Sequence, residues 1–128
     1  MKKLLILLFS ILISFNSYGE WTLISTGNVD NSKFYVDTET IKERDSFLYV
    51  WELDDHSLPL SDTSVLSLIA LREIDCTEMK MRSVVIHYYE KNMGEGEIYL
   101  TDESPVKTWI YPPPGSNFYH IINYSCGY

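Results

Sequence analysis

The sequence predicts an α+β protein, an antiparallel β-sheet with one C-terminal α-helix packed on a face of it. Three observations carry that prediction. From Trp21 to Ile110 the apolar residues fall in short β-branched and aromatic runs, punctuated by Gly, Asn, Asp and Pro. After Pro112-Pro113-Pro114-Gly115 the period changes, and Phe118, Ile121, Ile122 and Cys126 recur at helical spacing. The only two cysteines, Cys76 and Cys126, lie at the end of a strand-like run and on that helix.

Residues 1–19 are set apart from the fold. Lys2 and Lys3 precede an apolar run from Leu4 to Phe15, and Ser17-Tyr18-Gly19 supplies the small residues of a cleavage site. That run is too short to cross a bilayer core, which takes about 20 residues. The reading is a signal peptide, 1–19, cut before Glu20, and one domain, 20–128. No further apolar run reaches spanning length, and no cysteine stands at the junction to carry a lipid anchor. The expected location is the periplasm, the outer-membrane surface or the medium.

The processed chain of 109 residues holds eight Lys+Arg against 18 Asp+Glu, a net charge of −10. Nucleic-acid binding rests on cations that neutralise phosphates, so DNA and RNA are excluded as partners. Two cysteines in a small exported domain predict a Cys76–Cys126 disulfide. It closes a loop of about 50 residues and stabilises by about 4 kcal/mol on the chain-entropy model.

Each element has its own justification. Trp21–Ser25 and Phe34-Tyr35-Val36 read as strands, separated by turn residues at Gly27-Asn28 and Asp30-Asn31-Ser32. Asp37–Ile41 reads as a capped turn and Arg44-Asp45-Ser46 as another. In the next strand Phe47, Tyr49, Trp51 and Leu53 share one face; Leu48, Val50, Glu52 and Asp54 share the other, which turns polar as if the strand were leaving the core. His56–Ser64 is a polar connection, expected to be exposed. Leu66–Cys76 and Met81–Glu90 form a hairpin around Thr77–Lys80, with Arg72 interrupting its apolar parity.

Asn92–Gly96 is a loop with two glycines. Short strands are expected at Ile98-Tyr99-Leu100 and Lys107–Ile110. Ser116 then stands at the N-cap of the helix, and Gly127 just past its end.

Little in the chain reads as chemistry. His56, His87 and His120 match no zinc spacing, so no metal is expected. No nucleophile motif or phosphate-cradling loop is present, and a disulfide leaves no thiol. The expectation is no catalytic residue, no cofactor and no enzyme. Tyrosine favours interfaces, since it offers large area at low entropy cost. Tyr88, Tyr89 and Tyr99, with His56 and Met93 from the two loops, are the candidate ligand-binding residues.

A resemblance sharpens this. Trp21, Phe34-Tyr35-Val36-Asp37 with Thr40-Ile41, and Val50–Asp54 follow the order seen in the surface-adhesin protein E family. Glu73-Ile74-Asp75-Cys76, Arg82, Tyr88-Tyr89, Met93–Gly96, Trp109, Pro114-Gly115-Ser116 and Cys126 continue that order. The resemblance implies a sheet of about six strands with the helix tied to one face by the disulfide. It further implies a Gram-negative surface protein that binds host matrix or serum proteins such as vitronectin and laminin, and that forms homodimers. The alternatives are a periplasmic acidic inhibitor of a basic enzyme such as lysozyme, steered by charge, or an envelope assembly factor pairing through an edge strand.

Overall fold

The structure is a computed structural model and describes residues 20–128, so the expected signal peptide lies outside the described residues. Among them, seven strands form one antiparallel sheet: β1 (Trp21–Thr26), β2 (Lys33–Asp37), β3 (Lys42–Arg44), β4 (Phe47–Asp55), β5 (Ser67–Asp75), β6 (Lys80–Tyr89) and β7 (Ile98–Asp102). Their spatial order is β1-β2-β4-β5-β6-β7, with β3 beside β4 beyond the end of β2. The helix α1 (Asn117–Gly127) lies on one face.

Helix α1 forms as its pattern predicts. Ser116 Oγ accepts from the Tyr119 N–H at 3.3 Å, satisfying one of the helix's orphan donors. Ile121 and Ile122 are fully buried against Phe34, Val36, Val50, Ile74 and Met81. The Cys76–Cys126 disulfide joins the end of β5 to the last turn of α1. Gly127 belongs to the helix instead of following it, and Tyr128 provides the cap.

A second core lies across the sheet. Leu53, Ile69 and Tyr89 pack there with Trp21, Tyr35, Trp51 and Met93. A single turn at Asn92–Gly94 folds over them. Gly94 has φ +63°, and a Cβ there would lie 2.6 Å from Ile69 Cδ1. Only glycine fits both the backbone and the gap.

Two strand expectations need correction. β3 is an added strand, hidden in the sequence because Lys42-Glu43-Arg44 has no apolar alternation; its ladder to Tyr49, Leu48 and Phe47 follows from the tight turn at Asp45-Ser46, both at positive φ. Lys107–Ile110 does not form a strand, and only Ile110 bridges β6, at Met81. Between β7 and that bridge β6 carries a bulge. Leu71 faces Val85 and Arg72 faces Ser83, leaving Val84 unpaired. Lys107 Nζ occupies the carbonyls of Ser83 and Val84 at 3.3 and 3.4 Å, where a regular ladder would have run.

A third correction concerns β4. Its polar end does not leave the core: Glu52 is 0% exposed and Asp54 3%, and both turn inward on the helix side of the sheet. Arg72 on β5, itself 7% exposed, sends Nε and Nη2 to Glu52 at 3.2 and 3.1 Å. Nη2 also reaches Asp54 at 3.5 Å, Nη1 donates to Ser83 Oγ, and the guanidinium lies 5.4 Å from the Phe118 ring centroid. Two buried carboxyls thus share one cation.

The pair splits its titration. Burial raises the Asp54 pKa well above the ordinary value, and the neighbouring Glu52 charge and hydrogen bond raise it further. Burial would also raise Glu52, but attraction to Arg72 and the hydrogen bonds outweigh it and hold that carboxyl below its usual range. Asp54 is therefore the proton holder. A carboxyl whose folded pKa is raised costs stability as pH climbs from the ordinary Asp range to the folded value. Asp54→Asn keeps the neutral shape and removes that cost. Its melting temperature is expected to match or exceed the parent's at about pH 8, with a flatter profile from about pH 5 upward. A variant that melts lower at every pH would show that the Asp54 charge is needed.

Candidate functional site

β7 is an edge strand: it pairs β6 on one side and has no strand on the other among the described residues. Ile98, Tyr99 and Leu100 on it are each about half exposed, three consecutive large apolar side chains facing water. A bulge between Tyr88 and Tyr89 leaves Tyr99 unpaired, while Leu100 lies opposite Tyr88. Beside this edge runs the connection from β4 to β5. His56 N–H donates to Leu66 O at 2.8 Å and Leu60 N–H to Val65 O at 2.9 Å, so the connection closes on itself. Ser64 Oγ donates to Glu90, tying it to the end of β6.

Between the two lies a groove of about 450 Å³, within the ordinary range for a ligand site. Leu60, Thr63 and Val65 form one wall and Tyr88, Leu100 and Asp102 the other. The segments around it are acidic, with Asp62 on the connection and Glu95, Glu97 and Glu103 flanking β7.

The structure brings together two of the five sequence-derived candidates, Tyr88 and Tyr99, which both line this groove. It does not bring the other three there. Tyr89 is 4% exposed and Met93 packs against it in the second core, because the bulge and the Asn92–Gly94 turn direct both inward. His56 sits by Asp55, Ser57 and Asn92 near the far end of the connection, with Nδ1 3.4 Å from Ser32 Oγ. Burial lowers its pKa, opposed by Asp30 and Asp55.

Sequence reasoning missed Val65 and Leu100, and it reached Leu60 only as part of the His56–Ser64 connection. The run Ile98-Tyr99-Leu100 carried a signal, since apolar residues at successive positions of a short strand place some of them in water. No group of His, Cys, Asp and Glu among the described residues is arranged to hold a metal ion. No described helix is long and apolar enough to cross a membrane.

A helix tied by a disulfide to one face of an antiparallel sheet, with an open edge and a groove beside it, makes this a small disulfide-tied α+β module. The chain belongs to the surface-adhesin protein E family, whose model matches residues 21–127. Solved structures of Haemophilus influenzae protein E share the fold. One aligns with a TM-score of 0.59 at 14% identity, covering 85% of each chain. A selenomethionine form gives 0.60 at 13% identity over 85% of this chain and 87% of that one. A second crystal form gives 0.57 at 14% identity over 73% and 80%. No curated protein sequence matches at a significant level.

Proposed function

We propose that the chain is an exported envelope protein that works by binding another protein, not by catalysis, and that it binds through the β7 edge and its groove. The observation that carries this is the half-exposed Ile98-Tyr99-Leu100 strand, whose outer edge has no strand partner among the described residues, lying against an apolar groove. A sheet edge offers unpaired N–H and C=O groups to an extended segment, and a neighbouring pocket selects its side chains. The acidic surroundings favour a segment that is basic as well as apolar. Residues 1–19 would direct export, and host matrix or serum proteins such as vitronectin and laminin are the partners the family suggests. A second copy of the chain could pair on the same edge.

The test is surface plasmon resonance with the protein purified after export, over immobilised vitronectin and laminin. Saturable micromolar binding is expected to weaken by at least about tenfold in Leu100→Lys, since a central apolar anchor contributes about 2 kcal/mol or more. Its melting temperature should stay unchanged, because Leu100 is already half exposed. Absence of binding to both proteins, or binding that Leu100→Lys leaves intact, overturns the reading.

A further inference from the structure

His56 is the first residue beyond β4, and three separate segments meet at it. Its N–H donates to Leu66 O at 2.8 Å, which joins the two ends of the β4–β5 connection. Its carbonyl accepts from Asn92 Nδ2 at 2.9 Å, which ties in the turn after β6. Its ring meets the β1–β2 turn, where Nδ1 stands 3.4 Å from the Oγ of the buried Ser32. That turn is itself fixed, since Ser32 N–H donates to Asp30 Oδ1 at 3.1 Å and Gly27 N–H to Ser32 O at 2.7 Å.

The other ring nitrogen limits what this junction can hold. Nε2 lies out of water and has no hydrogen-bond partner among the described residues. A neutral imidazole carries one N–H, and the Ser32 hydroxyl serves Nδ1 as donor or acceptor. An imidazolium carries two N–H groups. Its second proton would stand on a buried nitrogen with no acceptor, a charged donor left unpaired. The charged groups facing the ring are Asp30 from the β1–β2 turn, Asp55 from β4, and Lys33 from β2, which lies opposite Asp55 in the ladder. Neither carboxylate bonds the ring where it stands; Asp55 Oδ1 is taken by Asn92 Nδ2 and the Met93 N–H. Burial accordingly outweighs their attraction and holds the His56 pKa below its ordinary value.

We infer that His56 is an acid-released clasp: taking up a proton drives its ring away from Ser32 toward Asp30 and Asp55, and so frees the root of the β4–β5 connection. The sign follows from linkage. A base whose folded pKa is depressed adds stability above its unfolded value of about 6.5, and that stability is lost as pH falls through the folded value. The connection is closed at neutral pH and loosens in mild acid. Asp54 acts in the other direction, since its cost grows as pH rises. Leu60, Thr63 and Val65, one wall of the β7 groove, ride on the connection that His56 holds.

The release of the connection does not depend on what the groove binds, and its test needs no ligand. Amide hydrogen exchange of the purified protein is followed by NMR between about pH 7.5 and about pH 5, corrected for the intrinsic pH dependence of exchange. The amides of His56, Leu60 and Thr63, all bonded within the connection, should lose protection by at least about tenfold in acid. Those of β5 should keep theirs. His56→Asn retains an amide donor for Ser32 and takes up no proton, so its protection should not change with pH. Asp30→Asn removes one carboxylate that attracts the charged ring, so both the exchange transition and the His56 ring titration should move to lower pH. A histidine with a merely structural role would leave that midpoint in place. Equal protection across the range in the parent, the parent's pH dependence in His56→Asn, or an unmoved midpoint in Asp30→Asn overturns the proposal.

Discussion

Arg72→Met is expected to destabilise the protein by about 3–5 kcal/mol, the range for removing one partner of a buried charge cluster. Arg72 is the only cation facing Glu52 and Asp54 among the described residues, and it contacts both carboxyls, the Ser83 hydroxyl and the Phe118 ring. Without it the ionised Glu52 is left buried and unpaired, and it must take up a proton or open the helix–sheet interface. Domains of this size hold only about 5–15 kcal/mol in total, so the loss is a large fraction. The companion variant Arg72→Met/Glu52→Leu/Asp54→Leu removes the charges together. It should recover most of the loss in urea denaturation, because desolvation and attraction nearly offset in such clusters. If the triple variant is as weak as the single one, the cluster's role is packing and not charge.

Cys126→Ser carries the second large effect, about 4 kcal/mol by closure of a loop of about 50 residues. Both half-cystines pack at the margin of the helix–sheet core, so native-state contacts add to the loop term. Melting of the parent with and without reductant, beside Cys126→Ser and Cys76→Ser, checks it. The three unbridged forms should melt alike and well below the oxidised parent. Equal melting of all four would show that the bridge constrains nothing.

Much of this architecture was legible in the residues. The strand runs, Ser116 and the Ile121/Ile122 spacing located the sheet and the helix, because each obeys a local period. What stayed hidden depends on pairings between distant strands. Nothing near Glu52 and Asp54 announces that Arg72, across the β4–β5 ladder, will neutralise them; alone they look like a strand running into water. The bulge at Val84 is equally silent, since it is a shift in the β5–β6 register, met from a later segment by Lys107 at the carbonyls of Ser83 and Val84.

The candidate site was legible in part for the same reason. Tyr88 and Tyr99 were found by residue type, whereas Tyr89 next door was indistinguishable until the register placed it in the second core. Leu60 sits in a connection that reads as polar, and Val65 just past its end. Their burial comes from the turn that closes it, which only the folded chain reveals.

The placement of α1 has a consequence for how the molecule comes into being. The helix that seals the principal core follows all seven strands in chain order, yet it rests on β1, β2 and β4, laid down by the first third of the domain. A ribosome or a translocation channel that still holds the α1 segment therefore holds back Ile121, Ile122 and Cys126. Until that segment is released, the helix side of the sheet lacks its cover and Cys76 its partner. Docking of the helix and oxidation of the cysteines then support one another, and a chain lacking Asn117–Gly127 loses the closure of its principal core.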